Sequence, residues 1–427
     1  MSDHPPEPAL GRPQPEQSSV QQQIDRLFLS QTIELAQRGV FSVTANPRVG
    51  CLIVRDGRVI GRGAHLRAGD AHAEVRALQD ARDDVRGATL YVSLEPCAIV
   101  GRTPACAQTL VAAGIGRVVC AATDPHPDVS GQGIAILRAA GVEVQLIELP
   151  DARWLNYGHA RLMGRGWPYV RLKIAQSLDG RTAMANGESK WITSAQARRD
   201  VQYWRARSGA IVTGVGTVLL DDPALSVRDP VFEVQVRPGQ KVLRQPLRVV
   251  LDSNLRTPTT AQICADGGPT LLVHGQPAPR AGLPVAVQQG YPSQVEIASY
   301  PDLSAAVSAV APADTGRVHL ESVLRELGRR GCTEVLVEAG AGLVGSFLEA
   351  QLWDELLIYV APKFLGSQAR AMANIQLNHM DQAIEAKIVS TDMVGGDIRT
   401  RLIPPWADLA EIDVEPVGYP NELRRAK

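Results

Sequence analysis

The chain has 427 residues, 45% of them hydrophobic, with 44 basic and 45 acidic side chains and a formal net charge of −1. A chain this long builds two or three cores without staples, and so even a charge balance counts against nucleic acid as a partner. With no signal-type start and no uninterrupted run of 18 apolar residues, a cytoplasmic protein without membrane spans is expected.

Residues 1–23, MSDHPPEPALGRPQPEQSSVQQQ, mix Pro, Gln, Ser and acids and are expected to form a disordered tail. From Asp25 to Arg38, Leu27, Phe28, Thr32, Ile33, Leu35 and Ala36 recur at helical spacing before Gly39 stops the pattern. The apolar runs VGCLIVRDG and VIGRGAH, joined at Asp56 and Gly57, predict a tight hairpin. There follow a predicted helix from His72 to Arg82, a strand at 88–94, a helix over PACAQTLVAAG, a strand over RVVCAA, a helix over GIAILRAAG and a strand over VEVQLIEL. This order predicts a layered α/β domain over residues 24–150. Residues 151–167 read as a connector helix. A second α/β pattern over 168–405 has predicted strands at 169–175, 210–214, 247–252, 269–273, 334–338 and 355–361, and helices at 194–206, 318–330 and 341–350. Residues 226–246 read as charged and irregular, and 406–427 as a loosely held extension.

Six cysteines in a chain of this length, without a secretion signal, do not make a disulfide framework. Cys51, Cys120 and Cys332 lie in or beside apolar runs and read as small buried hydrophobes. Cys97 and Cys106 differ, because Pro, Gly and Arg surround them in LEPCAIVGRTPAC. Upstream, AGDAHAEV places His72 and Glu74 at a helix start. Singly, these residues read as a locally capped His, a surface Glu and unrelated thiols. In the order His-x-Glu, Pro-Cys, Cys they predict a zinc site with three protein ligands, His72, Cys97 and Cys106, and one open position, the arrangement of catalytic zinc. Zinc would activate water there and Glu74 would move protons, as in nucleobase deaminases. Eight residues separate the cysteines where two are usual. Pro96 and Pro104 suggest that this loop bulges and returns, setting the second thiolate at a helix start whose dipole favours its ionisation.

Gly340, Gly342 and Gly345 spell GxGxxG after the strand EVLVE. A Rossmann site would also need an acid about 20 residues on, and LLIYVAPKFLG has none there. The stretch Gly340, Ala341, Gly342, Leu343, Val344, Gly345, Ser346 is therefore read as a phosphate cradle outside a Rossmann fold.

The strings YVSLEPCAIVGRTPACA, ANPRVGCLIVRDG, GAHLRAGDAHAEV and DPHPDVSGQG resemble the deaminase half of the bifunctional riboflavin-biosynthesis deaminase-reductase family. RLKIAQSLDGRTAMANGESKWITSAQARRDVQYWRARSGAIVTGVGTVLLDDPALSVR, LRQPLRVVLDSNLRTP and VEAGAGLVGSFL resemble its reductase half, in the same order, so the likeness spans roughly 25–403. The resemblance implies an α/β chain: a cytidine-deaminase-like α/β/α domain, then a dihydrofolate-reductase-like domain that uses NADPH. It implies deamination of 2,5-diamino-6-ribosylamino-4(3H)-pyrimidinone 5′-phosphate, then reduction of the ribosyl chain to ribityl, in a homo-oligomer, dimer or tetramer, acting on a small phosphorylated pyrimidine. In that scheme His72, Cys97 and Cys106 hold Zn2+, Glu74 is the proton carrier, and Asn46, His65, Arg102 and Asp124 surround the substrate, with Arg102 and His65 suited to its phosphate. In the reductase, Ala175, Trp191, Thr217, Asp221 and Ser253 match NADPH contacts, while Lys173, Ser189, Arg205, Leu225, Arg228 and Glu338 match substrate positions, the two arginines suiting a ribose phosphate.

The chain departs from the family's usual pattern at Ala45, at Ala98 and Ile99 where members carry Ser-His, and at His126. Each lost hydrogen bond to a polar ligand costs about 1 to 3 kcal/mol, enough to alter efficiency or ligand choice. A specialised copy serving a related aminopyrimidine is the first alternative. A nucleic-acid-editing deaminase is opposed by the charge balance and the 4% aromatic content. A non-catalytic zinc module is opposed by Glu74 and by the absent fourth ligand.

Overall fold

The structure is a computed structural model and describes residues 15–99, 105–126, 129–237, 239–265, 267–275, 290–300 and 317–407. Helix α1 runs Pro15–Gln37, so residues 15–23 of the expected tail are helical. A helix nucleated on its buried half propagates through Gln-rich turns, and Pro is accepted at the first position. Asp25, fully buried, takes hydrogen bonds from Tyr91 and both terminal nitrogens of Arg117 at 2.8–2.9 Å.

Strands β1 (Gly50–Arg55) and β2 (Arg58–Ala64) form the predicted hairpin, with Asp56 and Gly57 at φ 50° and 72°, a turn whose twist matches that of the strands. Then come α2 (Ala73–Asp80), β3 (Thr89–Val92), α3 (Cys106–Ala113), β4 (Arg117–Cys120), α4 (Gln132–Ala139) and β5 (Glu143–Leu146). The sheet order is β2-β1-β3-β4-β5, parallel from β3 to β5. Alternation along the strands feeds two cores. Cys51, Ile53, Leu90 and Val92 meet α2, α3 and α4, whereas Leu52, Val54, Tyr91 and Val119 meet α1.

The connector is two helices, α5 (Pro150–Leu155) and α6 (Tyr157–Arg165), where one was expected; the backbone turns at Asn156. Asn156 is occupied with the first domain: its amide accepts from the Arg48 N–H at 2.7 Å and donates to the Arg48 carbonyl at 2.9 Å.

The second domain contains β6 (Tyr169–Ser177), β7 (Arg181–Ala183), α7 (Ala195–Arg207), β8 (Ala210–Gly214), α8 (Val215–Asp221), β9 (Val234–Arg237), β10 (Gln240–Val242), β11 (Leu247–Leu251), α9 (Gln262–Ala265), β12 (Thr270–His274), β13 (Val295–Ser299), α10 (Leu320–Arg329), β14 (Glu334–Glu338), α11 (Ala341–Glu349), β15 (Glu355–Ala361), β16 (Arg370–Ala371), β17 (Lys387–Val394) and β18 (Asp397–Ile403). Its main sheet runs β13-β12-β11-β8-β14-β6-β15-β18-β17, parallel as far as β15 and antiparallel beyond. Ile211, Val250 and Leu336 face α7 and α8, while Val212, Val249 and Val335 face α10 and α11. The stretch 226–246, expected to be irregular, holds the small hairpin β9–β10. The outer pair β17–β18 has no counterpart among the predicted strands, because Arg399 and Arg401 are buried on acids there and charge conceals the pattern. The chain remains packed through Ala407, whose carbonyl accepts from Lys387 at 3.0 Å, so residues 406 and 407 of the expected loose extension are held; residues 408–427 lie outside the described residues.

The domains meet on a buried ionic cluster. Arg48 of the first domain donates to Glu334 at 2.8 Å, and Arg207 and Arg171 reach the other carboxylate oxygen at 2.6 and 3.3 Å. Arg171 also holds Glu355 at 2.7 Å, which Arg401 grips at 2.5 Å. Phe41 packs edge-on against Tyr203 and Phe232, and its carbonyl accepts from Arg244 at 3.0 Å.

Candidate active sites

Two helix starts meet in the first domain. His72 is the residue before α2, and Cys106 is the first residue of α3. A Cβ on Gly63 of β2 would lie 1.9 Å from the Ala73 carbonyl oxygen, so bare glycine there lets α2 settle on β2 and sets where His72 stands. The His72 Nδ1 atom lies 3.2 Å from Cys106 Sγ and 3.6 Å from Cys97 Sγ, and the Cys106 N–H donates to Cys97 Sγ at 3.3 Å. Among the described residues this is the one group of His, Cys, Asp and Glu side chains able to hold a metal ion, its ligand atoms within 4.8 Å of one another. The hydrogen bond between the two sulfurs lowers the Cys97 thiol and raises that of Cys106, and a dication bound there would take both as thiolates with release of protons. Glu74 is 4% exposed, and burial raises its carboxyl to about 7, where it both accepts and donates protons at neutral pH.

The pocket beside this cluster is lined by Asn46, His65, Glu74, Asp124, His126 and Ile99, among others. The Asn46 amide contacts His65 Nε2 at 3.3 Å, and His65 Nδ1 lies 3.3 Å from the Ala71 carbonyl. Burial lowers the His65 pKa, which disfavours its charged form. Arg102 lies outside the described residues. Sequence reasoning missed three groups. Glu95, 3% exposed inside the LEPC string, accepts from the N–H groups of Asp124, Gly131 and Ile134 and so fixes the Asp124 loop on α4. His159 and Met163 reach the lining from the connector, where no motif marks them.

In the second domain β6, β8, β11 and β14 end on one edge of the sheet, and ligand crevices of open α/β sheets lie outside such carboxyl ends. Lys173 and Ala175 sit on β6, Thr217 and Asp221 on α8, Ser253 just after β11, and Glu338 at the end of β14. Arg205 forks onto Glu338 at 2.5 and 3.0 Å, and Lys173 stands 3.8 Å from the same carboxylate. The expected pair of phosphate-binding arginines is thus unequal. Arg205 is committed to Glu338, whereas Arg228 is exposed and forms no side-chain ion pair among the described residues. Ser189 donates to Asp221 at 3.1 Å, Leu225 is buried with φ 49°, and the Arg198 guanidinium lies over the exposed Trp191 ring at 4.2 Å. The three glycines of GxGxxG divide. Gly340 and Gly342, at the start of α11, have no heavy atom within 3.5 Å of a built Cβ, while Gly345 packs so tightly that its Cβ would meet the Asn374 carbonyl oxygen at 2.2 Å.

Residues 22–122 match the family model for the cytidine and deoxycytidylate deaminase zinc-binding region, and 168–398 match that for the RibD C-terminal domain. The riboflavin biosynthesis protein RibD of Escherichia coli strain K12 is 42% identical over 383 residues, covering 89% of this chain and 99% of that one. Its Haemophilus influenzae counterpart is 40% identical over 384 residues, covering 89% and 97%. The chain belongs to the RibD family. A solved Acinetobacter baumannii RibD structure superposes with TM-score 0.76 at 42% identity, covering 90% of this chain and 99% of that one. A deaminase/reductase structure from Thermotoga maritima does so with TM-score 0.74 at 30% identity and the same coverage. Like these RibD proteins, the chain pairs a cytidine-deaminase-like domain with a RibD reductase domain and is a bifunctional enzyme of riboflavin biosynthesis.

Its cofactors are zinc and NADPH. One imidazole and two sulfurs form a donor set that suits zinc. Bound there, zinc supplies Lewis-acid activation of water. The open backbone at Gly340 and Gly342, at a helix N-terminus beside Thr217, suits a dinucleotide phosphate. Among the described residues no helix is long and apolar enough to cross a membrane.

Proposed function

We propose that the first domain deaminates 2,5-diamino-6-ribosylamino-4(3H)-pyrimidinone 5′-phosphate and the second reduces the ribosyl chain of the product to ribityl. The observation carrying this reading is the convergence of His72, Cys97 and Cys106 beside buried Glu74, in one chain with the glycine-opened edge of the second sheet. In the deaminase, His72, Cys97 and Cys106 hold zinc, Glu74 carries the proton from water to the leaving ammonia, and Asn46 and Asp124 meet the pyrimidine ring. His65 contacts and orients Asn46, and Arg102 and His65 face the phosphate. In the reductase, Ala175, Trp191, Thr217, Asp221, Ser253 and the segment Gly340–Ser346 contact NADPH. Lys173, Ser189, Arg205, Leu225, Arg228 and Glu338 hold the ribotide, with Arg228 as the arginine available to its phosphate. The protein supplies orientation and exclusion of water for hydride delivery to the opened ribosylamine. The enzyme works as a cytoplasmic homo-oligomer, which sedimentation would size.

The test supplies purified protein with the diaminopyrimidinone ribotide and NADPH and follows ammonia release and NADPH oxidation separately. Both are expected. Ammonia without oxidation would overturn the reductase assignment, and oxidation only of added pre-deaminated compound would overturn the deaminase assignment.

A further inference from the structure

One wall of the deaminase pocket comes from outside the deaminase domain. Helix α6 of the connector places His159 and Met163 in the lining with Asn46, Asp124 and His126. The helix is fixed from the other side. A Cβ at Gly158 would lie 2.6 Å from Cγ of Glu334 and 2.7 Å from the Thr333 carbonyl oxygen, so α6 lies flush on the start of β14. The reductase domain thereby sets the orientation in which His159 meets the deaminase pocket.

The His159 Nδ1 atom is buried and has no hydrogen-bond partner. Buried polar atoms are almost always paired, and the imidazole that carries this unpaired atom belongs to the pocket lining, where a ligand can reorder its hydrogen bonding. Burial, reinforced by neighbouring His126 and Arg48, lowers His159 to about 4. The ring is therefore neutral at working pH and offers one donor and one acceptor. On the same lining Ile99 has no hydrogen-bonding side-chain atom.

We propose that His159 is a substrate-binding, specificity-determining residue of the deaminase site, its neutral imidazole hydrogen-bonding a polar group of the bound aminopyrimidine ribotide. As a contact to the bound ligand, it is expected to act on affinity more than on turnover. The deaminase site is complete only with the connector docked on both domains.

The proposal rests on the deaminase reading above, and its test separates the two. In the full-length protein, His159→Ala is expected to raise KM for ammonia release about tenfold with kcat little changed. Zinc content and NADPH oxidation of the pre-deaminated ribotide should stay at wild-type values. His159→Asn, which keeps a donor and an acceptor, should recover most of the affinity, and His159→Leu, which only fills space, should not. An unchanged KM in His159→Ala, or rescue by Leu, overturns the proposal. Should wild-type protein release no ammonia, the assigned reaction fails and His159 is judged by equilibrium binding of the ribotide to Glu74→Gln protein with and without His159→Ala. A tenfold loss then supports its role as a ligand contact, and equal affinities overturn it.

Discussion

The two sites are built on different scales. The proposed zinc ligands His72 and Cys106 are 34 positions apart and meet at two helix starts, with Cys97 between them in the chain. The reductase residues Arg205 and Glu338 are 133 positions apart and meet because strand order brings them to one edge. Chemistry that needs a rare donor set is carried by a compact motif. The proposed ligand contacts of Arg, Lys and Glu are brought together by register, and those residue types occur everywhere.

That contrast predicts separable failure at the first site and shared failure at the interface. The largest effect expected is from Glu74→Gln, which should cut ammonia release by about 10² to 10⁴ while zinc content and NADPH oxidation of pre-deaminated substrate persist. Loss of both activities together would show that the sites are not independent. Chelation of zinc should give the same split. Glu334→Gln should act differently, because it leaves Arg48, Arg171 and Arg207 buried around a neutral group. Removing one partner of a buried ionic cluster costs about 3 to 5 kcal/mol, read as a lower denaturant midpoint, and both activities should decline.

A smaller effect is expected in acid. Burial alone would raise Glu355, but Arg171 and Arg401 outweigh it and hold the carboxyl at about 2. The folded pKa lies below the unfolded one, so this contribution is present above about pH 4.5 and lost as pH falls toward 2. The loss is on the order of 3 kcal/mol. Urea midpoints between pH 7 and 3 should fall, and Glu355→Gln should flatten that fall. Smallest of all, Arg228→Ala should raise the reductase KM for ribotide by about threefold to tenfold without moving the midpoint, because an exposed charge gains little from the fold.

The compact and dispersed sites were unequally legible in the sequence. The hairpin at Asp56 and Gly57, the parallel strands and the His-x-Glu, Cys, Cys set were readable because turn chemistry, apolar runs and ligand spacing are local. Glu95 lay in view, but its task of holding the Asp124 loop is visible only once three N–H groups converge on it. His159 gave no signal, since one histidine on an amphipathic helix has no spacing to interpret. The outer β17–β18 pair was hidden by buried arginines whose acids lie elsewhere in the chain. The glycine fingerprint mixed two causes, with Gly345 required by its close contact with Asn374 and Gly340 and Gly342 left open.

Strand β14 carries an acid at each end, Glu334 against Arg48 and Glu338 against Arg205. The spacing of four is even, so both carboxylates and Leu336 share a face while Val335 and Val337 enter the opposite core. A single-residue insertion or deletion here would reverse that parity and drive one carboxylate into hydrocarbon. About 13 Å of main chain thus sets a counting rule that natural variation in length must respect, because one end of this short strand is tied across to the first domain through Arg48 and the other within the second through Arg205.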